Sequence, residues 1–172
     1  MLSIAVKPIN FATFNIEPWE DYSVRLALPN NRPEREFYRQ VVYDHFDHFN
    51  HHYPDLKLDD YKVSIVNLTA KEVDERVRYF NNERVNFWSK QFDHYLEADQ
   101  DYIVFQRMKK DGTPPFPPIL IDSSKLVDGA WIYGRPLHLI EGTHRTSYLI
   151  RMAELDIIEW KSIHEFVLLS PR

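Results

Sequence analysis

Glu141-Gly142-Thr143-His144-Arg145 gathers, in one short run, the groups that a phosphate site needs. The glycine stands between an apolar run, Leu137–Ile140, and an amphipathic stretch, Thr143–Leu155, so it reads as a strand turning directly into a helix. The first N–H groups of such a helix have no partner inside it, and the helix dipole adds partial positive charge there. Together they make an anion site, and a glycine lets the backbone approach the ligand closely. Thr143, Thr146 and Ser147 add hydroxyl donors in the first turn, and Arg145 adds a planar fork that matches phosphate oxygens. His144 can donate a hydrogen bond or act as acid or base near neutral pH. Glu141, just before the glycine, and Asp122, closing an upstream strand, are the candidate catalytic carboxylates. The same residues have a plainer reading. Gly142 can serve a tight turn that holds no ligand, Arg145 can pair with Glu141 or Glu154, and His144 can be a contact at the helix start.

A second constellation is Asp44-His45-Phe46-Asp47-His48-Phe49-Asn50-His51-His52, followed by Asp55. His45, His48 and His52 recur at steps of three and four, which puts them on one helix face, a spacing known from metal sites. No ligand from a second element is identifiable, so a helix flank beside a packing seam is the expectation, and no metal ligand is assigned. Arg84 lies in an apolar stripe, where it pairs with a buried acid, reaches a ligand or, the plainer reading, sits at the stripe edge with its stem covering apolar rings. Trp131 and Tyr133 can stack a base or pack as a hairpin.

The elements that must position these groups are legible as follows. Short strands are expected at Ser3–Val6, Asn10–Ile16 and Ser23–Leu28, punctuated by Pro18 and Pro29. Asn31-Arg32-Pro33-Glu34 opens a long helix to about His52, with Tyr38, Val42, Phe46, Phe49 and Tyr53 on one face. Tyr61–Asn67 reads as a strand. Thr69-Ala70-Lys71-Glu72 is a capping box for a second long helix to about Glu97, with Asn81-Asn82 as a local irregularity or break. Tyr102–Gln106 is expected as a strand and Asp111–Pro118 as a rigid loop. Ile119–Ile121 and Leu137–Ile140 are expected strands, Thr143–Leu155 a helix, and Phe166–Leu169 a closing strand.

Those last seventy residues carry a family resemblance. The proline-led strand PPFPPILID and the stretch LHLIEGTHRTSYLIRMAELDIIEW resemble the ParB/sulfiredoxin superfamily over about Tyr102–Leu169. The resemblance implies a mixed-sheet, α+β unit over residues 101–172, preceded by a helical elaboration or lobe over residues 1–100, the whole forming one domain. Sulfiredoxins carry a cysteine between the glycine and the histidine. Here that position is Thr143 and the chain has no cysteine, so that chemistry is excluded. Chromosome-partition members bind CTP and continue into a helix-turn-helix domain, whereas this chain stops at Arg172, so that role is not expected. Other branches bind ATP or ADP and transfer phosphate to small molecules. The resemblance therefore implies a nucleotide- or phosphate-binding protein, with phosphotransferase or phosphohydrolase as the reaction classes open to it and a nucleoside triphosphate with magnesium as the ligand. The competing class is a protein-binding module without catalysis, such as an antitoxin, immunity or phage-defence component.

Composition bounds these readings. The chain has 172 residues with 44% hydrophobic and 15% aromatic content, enough for a substantial core without metal or disulfide. Zero cysteines remove thiol nucleophiles and sulfur-ligated metals. A net charge of −5 with scattered Lys and Arg argues against DNA as partner. The start has no signal-peptide pattern and no apolar run is long enough to span a bilayer, so a soluble cytoplasmic location is expected.

Overall fold

The computed structural model describes residues 6–172, so most of the Ser3–Val6 expectation lies outside it. Among the described residues the fold is mixed α+β, with seven α-helices and a five-stranded mixed sheet. None of its helices is long and apolar enough to cross a membrane.

The elements run α1 (Trp19–Arg25), α2 (Arg32–Phe37), a π-helical turn (Tyr38–Tyr43), α3 (Phe46–His52), β1 (Tyr61–Thr69), α4 (Ala70–Arg76), β2 (Val77–Arg78), α5 (Ser89–Ala98), α6 (Ile103–Asp111), β3 (Ile119–Asp122), β4 (Leu137–Glu141), α7 (Thr143–Glu154) and β5 (Ile163–Pro171). The strand order is β1-β5-β3-β4-β2. β1 with β5 and β3 with β4 are antiparallel, and β5 with β3 and β4 with β2 are parallel. β1 and β2, from the first hundred residues, therefore flank strands from the last seventy.

Period-two alternation sorts the sheet's side chains into two cores. Ile119, Ile121, Ile140, Val167 and Leu169 face Phe37, Val41, Val42, Phe49 and Tyr53. Leu120, Leu139 and Phe166 face Val73, Phe92, Phe105, Met108, Tyr148 and Met152. The sheet is thus buried between two helical layers, which is why the apolar run Ile119–Ile121 shows no polar alternation.

Several sequence expectations are corrected. Asn10–Ile16 forms turns, with Asn10 and Ala12 at positive φ, and Ser23–Leu28 falls in and after α1. The expected helix to His52 begins as foreseen, with Asn31 capping Glu34 N–H, but breaks into α2, the π turn and α3. The expected helix from the Thr69 capping box stops at Arg76, because Val77–Arg78 turns extended to pair with Leu137–His138. Asn81 and Asn82 both sit at positive φ, a conformation asparagine tolerates, so the irregularity is a true break. Tyr102–Gln106 is not a strand: its first residue caps α6. Phe105 and Met108 bury one face of that helix, Lys109 and Lys110 suit its last turn, and Gly112 ends it at φ 70°. No hairpin forms at Ala130–Tyr133.

Candidate functional site

Antiparallel pairing of β3 with β4 sets Ile119 opposite Glu141, so the proline strap leading into β3 passes beside the β4–α7 turn. Gly142 occupies φ 100° at that turn, and a Cβ there would lie 2.8 Å from Pro118 Cβ. Glycine is therefore required twice, by the backbone angle and by the close approach. α7 starts at once, without a side-chain cap, and its first internal backbone bond runs from Thr146 N–H to Gly142 O. The N–H groups of Thr143, His144 and Arg145 have no acceptor among the described residues.

These groups border a pocket of about 220 Å³ lined by Glu141, Gly142, Thr143, His144 and Arg145 with Gln40, Asp44, His45, Tyr102, Val104 and Phe116. Five of the sequence-derived candidates thus meet in one place. The other three stand apart. Thr146 and Ser147 are fully buried outside the pocket lining, and their hydroxyls have no partner among the described residues. Asp122 pairs with Leu137 at the far end of β4, about 13 Å along the strand from Glu141 at ~3.3 Å per residue. Its carboxylate accepts Ser124 N–H and caps a short helical turn.

Arg145 does not extend a free fork. Its guanidinium is buried, and it donates to Gln40 Oε1 at 2.7 Å, Phe116 O at 3.0 Å and Glu141 Oε1 at 3.2 Å. Of the two salt bridges its sequence position allows, the one to Glu141 forms, while Glu154 goes to Arg84 and Arg151. Burial lowers the Arg145 pKa, opposed by Glu141. The group remains a cation behind the pocket wall, because guanidinium does not deprotonate in proteins. Gln40 is presented by the π turn, donates in turn to Glu36 Oε2 and to Pro117 O, and so ties the first helical layer to the strap. Gln40, Asp44 and Phe116 are site residues that sequence reading missed; a π turn leaves no recognisable signal in side-chain periodicity.

His144 stacks on Trp88 with ring centroids 3.9 Å apart and planes at 13°. Burial, the largest cause, lowers its pKa; Glu141 opposes and Arg145 assists. The ring is therefore neutral at pH 7. His45 Nε2 lies 3.8 Å from Glu141 Oε2. Asp44 sits on the exposed rim, yet the surrounding protein desolvates its carboxyl enough to raise the pKa.

The arginine clasp has a consequence on the other side of the strap. Arg172 N–H bonds Asp60 O, and Ala70 N–H bonds Ser162 O, so even-numbered residues of β5 bond to β1 and odd-numbered ones face β3. Val167 N–H reaches Pro118 O, but Ile163 and Glu165 lie beyond the start of β3. Opposite them Pro117 and Pro118 have no N–H, and the carbonyls of Phe116 and Pro117 are held by Arg145 and Gln40. A groove of about 940 Å³ opens there, lined by Pro114, Pro115, Ile157, Ile163 and Glu165 among others.

The remaining candidates are structural. Arg84 joins α4 to α7 through Asp74 at 2.6 Å and Glu154 at 2.7 Å. Trp131 packs on His52, and the Tyr133 hydroxyl donates to His52 O. His45 meets Glu141 at the pocket while His48 and His52 do not, and among the described residues no three such groups are placed to hold a metal ion. A buried histidine that the sequence did not flag, His138, accepts Gly134 N–H at Nδ1, which leaves the proton on Nε2 to be donated to the Tyr53 hydroxyl at 2.6 Å.

Compared with protein-family models, with curated proteins and with solved structures, the chain matches none.

Proposed function

We propose that the protein binds a phosphate-bearing small molecule, with a nucleoside phosphate as the preferred class, at the N-terminus of α7. The observation that carries this reading is the set of three partnerless N–H groups, Thr143 to Arg145, opening into a pocket backed by the buried Arg145 cation. The volume suits a phosphoryl group, with the rest of the ligand outside. The resemblance of Tyr102–Leu169 to the ParB/sulfiredoxin superfamily points the same way.

Phosphoryl transfer or phosphate hydrolysis is the chemistry within reach if the site is catalytic. Neutral His144 would donate to a phosphate oxygen or accept a proton, and Glu141 would serve as base. Asp44 replaces Asp122 as the second carboxylate. Magnesium would enter with a triphosphate as substrate. Asp44 would supply its protein ligand, and phosphate oxygens and water the rest.

The test uses Thr143→Asp. A carboxylate in the first turn suits the helix dipole, so the fold is retained or gains about 0.3–1 kcal/mol, while an anion in the pocket is repelled. Calorimetry with inorganic phosphate and with magnesium ATP, CTP and GTP is expected to show binding to the wild type and at least about tenfold weaker binding to the variant. No binding to the wild type refutes the reading, and equal binding by both proteins moves the ligand elsewhere.

A second reading, a protein-binding module, is favoured by the groove beside β5, where the backbone of Ile163 and Glu165 faces no strand. An extended partner segment would add there as a strand. Its signature is slowed hydrogen exchange at the Ile163 and Glu165 amides on complex formation; unchanged exchange excludes it.

A further inference from the structure

We infer a second anion site, separate from the α7 pocket, on the arginine stripe of α2 and the π turn. Arg32, Arg35 and Arg39 recur at steps of three and four, so they share one helix face. They border a concavity of about 500 Å³ that Trp19 and Asn31 help to line. Arg32 is already paired, 2.7 Å from Glu165. Arg35 and Arg39 have no carboxylate within 4 Å among the described residues. The Arg35 guanidinium instead lies 5.4 Å from the centre of the Trp19 ring, which holds it toward the concavity. Of the two acids that also border the space, Glu36 accepts from Gln40 Nε2 at 2.9 Å, and Glu20 is exposed on α1.

Two guanidinia one turn apart, neither of them in a salt bridge among the described residues, repel each other. A tetrahedral phosphate removes the repulsion and takes two charge-assisted forks, one from each arginine. The site's ligand class is therefore a phosphate dianion, free or as a small phosphomonoester. Glu36 connects it to the first site, since Glu36, Gln40 and Arg145 form an unbroken hydrogen-bonded chain. The inference does not depend on the α7 reading.

The experiment is thermal unfolding of the full chain in inorganic phosphate, against chloride at matched ionic strength. It compares the wild type, Thr143→Asp, the double variant Arg35→Gln/Arg39→Gln, and all three changes together. Phosphate is expected to raise the Tm of Thr143→Asp but not that of the triple variant. Without phosphate the double variant is expected to unfold cooperatively at a Tm close to that of the wild type, because the lost repulsion and the lost Trp19 contact offset each other. Phenyl phosphate run in parallel separates monoesters from free phosphate: a larger Tm rise with the monoester assigns the site to esters, and an equal or smaller one to phosphate itself. Loss of the whole phosphate effect in Thr143→Asp alone overturns the second site and leaves the first standing. A matching rise in chloride, or a phosphate effect that persists in the triple variant, also overturns it.

Discussion

Gly142 carries two constraints that no other residue meets. Its φ of 100° is strained for an L side chain, and the space a Cβ would take is filled by Pro118 at 2.8 Å. Gly142→Ala is expected to lose about 1–3 kcal/mol, the cost of left-handed strain plus the contact. Denaturant unfolding measures it, and a change below ~0.5 kcal/mol would show that the turn relaxes freely. Arg145 behaves differently from the free phosphate fork its position suggested. Its three acceptors lie on the π turn, the strap and β4, so it organises the pocket wall and supplies charge from behind. Thr143 is the better handle on the ligand, since it is partly exposed and its backbone N–H is free.

At the scale of elements, the strap Phe116–Pro118 is fixed by two side chains, which take the carbonyls of Phe116 and Pro117 and leave only Pro118 O bonded to β5. Arg145→Met keeps most of the apolar bulk and removes all three donations. It leaves Gln40 and the Phe116 carbonyl short of partners, at a cost of about 1–3 kcal/mol, Glu141 being exposed enough to find water. The strap is then expected to loosen, seen as faster hydrogen exchange at Val167, whose N–H bonds Pro118 O. Unchanged exchange there would mean that the prolines hold the strap unaided.

The strand–glycine–helix unit, the Thr69 capping box and the buried run Ile119–Ile121 were legible because each is encoded locally. The errors came where neighbours decide. Val77–Arg78 would continue a helix if β4 did not offer a parallel partner. Ile103 and Val104 suggest a strand, yet Phe105 and Met108 dock as a helix on the α7 side of the sheet. The pocket was half legible for the same reason. Its α7 half is contiguous, whereas Gln40 and Asp44 arrive through a π turn a hundred residues earlier, and periodicity gave no sign of it.

At the scale of the whole molecule, the sheet is sealed on both faces, and a fully buried imidazole on β4 ties stability to pH. His138 is fully buried and its pKa is pushed down to about 3, burial being the main cause with Arg135 and His52 adding to it. The unfolded chain therefore binds a proton that the native state refuses between about pH 6.5 and pH 3. The contribution is complete above pH 6.5 and is lost as pH falls, at up to about 1.4 kcal/mol per pH unit. Urea unfolding between pH 4 and 7 is expected to show this slope. His138→Gln, less stable at pH 7 because Tyr53 and Gly134 lose good partners, is expected to show a shallower one. Parallel slopes would place the proton elsewhere.

The phosphate-binding reading rests on three amides, and they can be watched directly. Inorganic phosphate titrated into ¹⁵N-labelled protein is expected to move the Thr143, His144 and Arg145 amide resonances together and saturably, and to leave them unmoved in Thr143→Asp. If phosphate shifts other amides while these three stay still, α7 does not hold the ligand and the proposed function is wrong.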